Sequence, residues 1–189
     1  MTPLPAPPSD IVRMAPFTAF VPRFEELIAS STRMVVYFIH SRRWRENHDA
    51  AIKAFLAREG TTLEVFLPDL ENHELMYSLE KHFDDGSLIP ALVVDAYRYF
   101  ARLCREFGKP AEIWLFGRYP TYTFYRFDDR AIVALYSNTA AKKDLPAFEI
   151  TTDGFFGDFL ASDADDLKRE CRRRTPDELE TVIHDSTGT

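Results

Sequence analysis

The chain has 189 residues, 46% of them hydrophobic, with a formal net charge of −7, which suits one domain with a buried core and excludes whole-surface attraction to nucleic acid or anionic lipid. No apolar run approaches the roughly 20 residues that cross a bilayer, and the opening MTPLPAPPSD has neither a basic nor an apolar leader region, so a cytoplasmic protein without membrane attachment is expected. Cys104 and Cys171 lie in helix-like stretches without CxxC or Cys/His ligand spacing and read as free thiols.

The first fifteen residues carry Pro3, Pro5, Pro7 and Pro8, which fix φ and remove backbone donors, so 1–15 reads as a Pro-rich flexible tail ahead of one domain over 16–189. From Pro22 a short helix puts Phe24, Leu27 and Ile28 on one face. The run RMVVYFI, Arg33 to Ile39, suits a buried strand. Ser41 or Asn47 can cap the following helix, which aligns Ile52, Phe55 and Leu56 and stops at Gly60. Thr62 to Leu67 is a second strand, and strand, helix, strand implies a parallel pair with a right-handed crossover.

Two helices follow, His73 to Phe83 and Pro90 to Phe107, the second ended by Gly108. After Pro110 the runs IWLF, TFYRF, AIVALY and AFEIT read as an antiparallel meander. Gly154 to Cys171 is a helix, and Thr175-Pro-Asp-Glu178 is a capping box that opens a short C-terminal helix. The predicted fold is α/β: a mixed sheet, βαβαα then an antiparallel meander, with helices on both faces.

The stretch from Ala111 to Asn138, AEIWLFGRYPTYTFYRFDDRAIVALYSN, resembles the catalytic hairpin of the phospholipase D-like superfamily. That family carries His-x-Lys-x4-Asp followed by a Ser/Asn-containing stretch. With Asp128 on the family aspartate, Thr121 stands at the histidine, Thr123 at the lysine, and Ser137-Asn138 at the Ser/Asn stretch. A register on Asp129 would put Tyr122 and Phe124 at the two catalytic places and lose the asparagine. The resemblance implies a single phospholipase D-like domain, and a degenerate one, because threonine cannot form a phosphohistidine and no lysine stabilises charge developing on phosphorus. It also resembles a motif-lacking subgroup found in bacterial regulatory or defence-related proteins. Single halves of this family commonly pair, which implies a homodimer, with Tyr122, Phe124 or Tyr125 at the interface.

Beyond the hairpin, His40-Ser-Arg42-Arg43-Trp-Arg45 follows the first predicted strand, where open α/β sheets bind ligands. Three arginines, an indole and a helix N-terminus suit a phosphate or nucleotide, although a solvated loop has the same composition. The spacing His40-x-Arg42-x4-Asn47 imitates the missing motif but precedes a helix and is set aside. Asp69, Glu71 and His73 follow the second strand and Arg118 follows the third, so these groups could line one crevice with His40; Asp69 and Glu71 equally suit a turn and a helix start. His40, His48, His73, His82 and His184 show no ligand spacing, His82 reads as a surface residue, and neither a metal nor a cofactor is expected. No Ser-His-Asp signature, G-x-S-x-G elbow, G-x-G-x-x-G or P-loop is present, so a nucleotide would be held by arginine and aromatic side chains.

Three functions fit these residues. The leading one is a non-catalytic binding or sensor module for a phosphate-bearing ligand or a protein partner. The others are a Rossmann-like nucleotide hydrolase or glycosyl-transferring enzyme using Asp69 or Glu71 with the His40–Arg45 loop, and a structural interaction module without ligand.

Overall fold

The computed structural model describes residues 10–83, 88–109, 112–137 and 144–187, with side chains as far as 184. Its strands are β1 Ile11–Pro16, β2 Arg33–Tyr37, β3 Thr62–Pro68, β4 Glu112–Phe116, β5 Tyr122–Phe127, β6 Arg130–Leu135, β7 Pro146–Thr151 and β8 Arg172–Arg174. Its helices are α1 Val21–Ser30, α2 Arg42–Ala57, α3 His73–His82, α4 Ile89–Phe107, α5 Phe155–Glu170 and α6 Pro176–Thr187. The strands form one 8-stranded mixed sheet in the order β1-β7-β6-β5-β2-β3-β4-β8.

The β2–α2–β3 unit is parallel, as its continuous apolar strands require, with Val36 opposite Val65. The IWLF run departs from the expected meander: β4 pairs parallel with β3 and extends the crossover half, because an apolar run of that length does not encode direction. The meander is β5-β6-β7, joined to the parallel half where β5 runs antiparallel to β2 and Val36 meets Tyr125.

Two strands lie where none is expected. Residues 11–15 are not tail: β1 pairs antiparallel with β7, setting Met14 opposite Phe148, and closes one edge of the sheet. At the other edge, β8 consists of three arginines, which pair with β4 and face Asp69, Glu71 and Glu112.

Alternation along the strands sends side chains to two faces. On one face Phe38, Tyr125 and Phe127 meet α1, α2 and α4 through Phe24, Trp44 and Phe100. Buried Tyr97 of α4 donates its hydroxyl to the Pro68 carbonyl at 2.6 Å and so docks that helix on the end of β3. On the opposite face α5 lies over β3 and β4, with Lys168 above the Trp114 ring and bonded to Glu64 at 2.7 Å.

Asp10 secures the start of α5, its carboxylate accepting from the backbone N–H groups of Phe156 at 2.6 Å and Gly157 at 3.2 Å. Gly154 allows this approach, because a Cβ there would lie 2.5 Å from Asp10 Cβ, and Gly157 lets the first turn of α5 pack on Thr152, whose backbone a Cβ would meet at 2.6 Å. Glycine-to-alanine substitution ordinarily stabilises a helix interior. Gly157→Ala should instead destabilise the fold by about 1–3 kcal/mol, read as a lower urea midpoint with an unchanged m-value.

Candidate functional site

The carboxyl ends of β2, β3 and β4 lie side by side, and the loop His40–Ser41 turns β2 into α2. The turn is strained: Ser41 has φ 42° and ψ 43°, left-handed for a residue with a side chain. Its hydroxyl does not cap α2 but shares a 2.7 Å hydrogen bond with the Tyr125 hydroxyl, whose pKa burial pushes up to about 12. The first turn of α2 therefore begins without a cap from the Ser41 side chain. The Arg42 N–H is satisfied by His40 Nδ1 at 3.2 Å, while those of Arg43 and Trp44 meet no acceptor among the described residues.

Beside this turn a small pocket of about 140 Å³ is lined by His40, Ser41, Thr123, Tyr125 and Tyr136. It opens beside a larger cleft of about 450 Å³ between α1 and α2, lined by Phe17, Phe24, Arg43, Trp44, Asn47 and His48, and the two share Phe17 and Leu145. Sequence reasoning missed this cleft. Trp44 and His48 stand four residues apart on α2, a spacing that reads as ordinary core; the signal was a histidine on an otherwise apolar face.

The proposed ligand residues are not gathered at one point. His40 lines the small pocket, and Arg43 lines the cleft with no ion pair among the described residues. Arg42 is exposed and pairs with Glu46 at 2.8 Å. Arg45 is turned inward: it is buried, donates to the His40 carbonyl at 2.9 Å, pairs with Asp95 at 2.7 Å and lies over the Tyr99 ring. Asp69 is buried beneath Arg172, which binds it through two nitrogens and also reaches Glu71 at 2.8 Å. Asp69 Oδ1 accepts from the Glu71 N–H at 3.1 Å, so both carboxylates serve the turn and the edge strand rather than standing free as a base. Arg118 is exposed and pairs with Glu170 of α5.

The hairpin residues also separate. Thr123 is buried and donates its hydroxyl to the Tyr37 carbonyl at 2.9 Å, and Thr121 is exposed at the start of β5. Asp128 lies at the opposite end of β5, about 20 Å away at strand rise. The three therefore do not converge, and Asn138 lies outside the described residues. Asp128, with φ 50°, turns β5 into β6 and accepts from the N–H groups of Arg33 at 2.7 Å and Thr32 at 3.0 Å, which ties the turn to the start of β2. His82 is not a simple surface group: it is half-buried, bonded to the Ser137 carbonyl at 2.5 Å and packed on Tyr119.

The aromatic meander is core. Tyr125 is 1% exposed and Phe124 6%, while half-buried Tyr122 bonds to Asp163 of α5. These residues are covered by the chain's own helices and do not form the twofold surface expected of them.

Neither a family model nor a curated protein matches the sequence. Solved structures match the fold. TrmBL2, an archaeal chromatin protein with a described mode of DNA binding, is similar at TM-score 0.56 and 10% identity over 88% of this chain, which spans 55% of that protein. The phospholipase D family member Nuc from Salmonella typhimurium gives 0.54 and 11% over 86% of this chain and 97% of its own. Phosphatidylserine synthase from Haemophilus influenzae gives 0.53 and 14% over 87% of this chain and 41% of its own. The chain thus has a phospholipase D-like fold, and it spans about half the length of the first and less of the third. No helix among the described residues is long and apolar enough to cross a membrane.

Two outcomes test the local chemistry. Asp128→Ala should cost about 1–3 kcal/mol of stability, because the N–H groups it holds lose a charged acceptor. Burial lowers the His48 pKa below its ordinary 6.5, so the unfolded chain binds the proton more readily. Stability should fall as pH drops from above 6.5 toward the lowered folded value, and His48→Gln should flatten that slope in urea titrations between about pH 7.5 and 5.5.

Proposed function

We propose that this phospholipase D-like fold serves as a non-catalytic binding or sensor module that takes a phosphate-bearing ligand at the first turn of α2. The observation that carries the reading is the uncapped start of this 16-residue helix, held open by the strained Ser41 and bearing Arg42 and Arg43. A helix N-terminus favours an anion, and strain at a strand-to-helix turn is characteristic of functional sites. On the register that the sequence resemblance implies, Thr121 and Thr123 take the places of the family's histidine and lysine, and the commitment of the Thr123 hydroxyl to a backbone carbonyl supports the non-catalytic reading.

DNA binding, described for TrmBL2, fits this chain less well. Its net charge is −7, and each arginine of β8 is paired, to Asp69 and Glu71, to Glu112, and to Glu71. Pairing of two such modules remains part of the proposal, away from the buried meander; a monomer at every concentration in sedimentation removes it.

Phosphate binding followed by calorimetry is the test of the site. Arg43→Ala should weaken it by about 1–3 kcal/mol, and Arg42→Ala by less, since Arg42 already serves Glu46. Unchanged binding in both variants refutes the site. The purified protein should leave a chromogenic phosphodiester intact, and turnover abolished by Thr121→Ala would refute the non-catalytic reading.

A further inference from the structure

The cleft between α1 and α2 is lined by two opposite charges that do not pair with each other. Arg43 lines it from the first turn of α2 and has no ion pair among the described residues. Asp144 lines it from the segment that leads into β7, where its carboxylate accepts from the Thr18 N–H at 3.3 Å and from the Thr18 hydroxyl. Thr18 is neutral, and no cation among the described residues pairs with Asp144, so both charges are left for a ligand. Phe24, Trp44 and His48, each 4% exposed or less, are the closed floor. The apolar surface within a ligand's reach is that of half-buried Phe17 and Leu145 and of exposed Val21.

The complement follows from these groups. A plain anion would meet Arg43 but be repelled by Asp144, a plain cation would meet the reverse, and a hydrocarbon would leave both charges unused. A molecule carrying an ammonium and an anionic group beside an apolar body satisfies all three. Arginine presents a planar fork that takes a carboxylate through two parallel bonds, and an ammonium donates to a carboxylate. Asn47 follows Arg43 by one helical turn and adds an amide that can donate or accept beside the charges. A volume of about 450 Å³ lies in the range of small-molecule sites.

We propose that this cleft binds a free α-amino acid with an apolar side chain: the carboxylate lies on Arg43, the ammonium on Asp144, and the side chain against Phe17, Val21 and Leu145. The assignment goes beyond the phosphate reading above and shares only Arg43 with it. Asp144 separates the two, because it attracts an ammonium and repels a phosphate.

The test is calorimetric titration of the full chain at neutral pH with phenylalanine and leucine, their amides, their N-acetyl derivatives, and inorganic phosphate. At least one amino acid should bind, and about ten-fold more tightly than either its amide, which lacks the carboxylate, or its N-acetyl derivative, which lacks the ammonium. Arg43→Gln and Asp144→Asn each remove one charge at an exposed position and should leave the fold intact. Both should weaken the amino acid about ten-fold. Asp144→Asn should not weaken the N-acetyl derivative, and Arg43→Gln should not weaken the amide.

Absence of binding by both amino acids overturns the proposal, as does an N-acetyl derivative that binds as tightly as its parent. Amino-acid binding unchanged in either folded variant overturns it too. Phosphate that weakens in Arg43→Gln but not in Asp144→Asn, with neither amino acid bound, overturns the amino-acid site and leaves the phosphate reading standing. An amino acid weakened by both variants, with no phosphate bound, supports the site and removes the phosphate reading.

Discussion

The seam between β2 and β5 is the constraint on which the rest of the molecule depends. On one side the strands are parallel and buried by helices; on the other they form an antiparallel meander, and the strands of the two halves pair along four residue pairs from Met34–Phe127 to Tyr37–Phe124. Tyr125 stands at the centre of that seam. Its ring lies within 6 Å of Phe17, Phe24, Phe38 and Trp44, which joins the sheet to α1, α2 and the preceding turn. Its hydroxyl fixes Ser41, so the residue that binds the two halves together also sets the geometry of the strand-to-helix turn.

Charge pairing decides which surface remains available to a ligand. The arginines that look alike in sequence have different fates: Arg45 is buried on Asp95, Arg118 is held by Glu170, and the β8 arginines hold the carboxylates of β4 and of the loop after β3. Glu149, also buried, is neutralised by Arg23 of α1 at 2.6 Å. A buried charge without a partner is far costlier than a pair, so these arginines are retained by the fold. Arg43, on the first turn of α2, is left free of such a partner among the described residues, and the electrostatic focus contracts from a basic loop to one helix end.

Much of the fold was legible because burial writes itself into local pattern. The continuous run at Arg33 to Ile39 and the apolar faces of α2 and α4 announce what covers them. What was not legible depends on distant partners. β8 has no strand propensity and exists because β4 offers an edge and Glu112, Asp69 and Glu71 offer counter-charges. β1 follows a proline-rich start and reads as tail until β7 is placed beside it. For the candidate site, the basic loop after β2 could be picked out because basic residues after a buried strand are a local signal. The arrangement of the hairpin residues was not, since a spacing in sequence cannot say that Thr121 and Asp128 fall at opposite ends of one strand.

The placement of β1 also bears on the order in which the chain can assemble. Asp10 and Phe156 are 146 residues apart in sequence yet hydrogen-bonded, so the first described strand finds its partner only after most of the polypeptide has been made. The β2–α2–β3 crossover, by contrast, closes on contacts between near neighbours and can form during synthesis. Until β7 arrives, β1 carries Ile11, Val12 and Met14 as an unpaired apolar segment, and until β1 arrives, β7 is a bare edge. The nascent protein thus passes through a stage with an incomplete sheet, which the amino-terminal strand completes by covering the edge of β7.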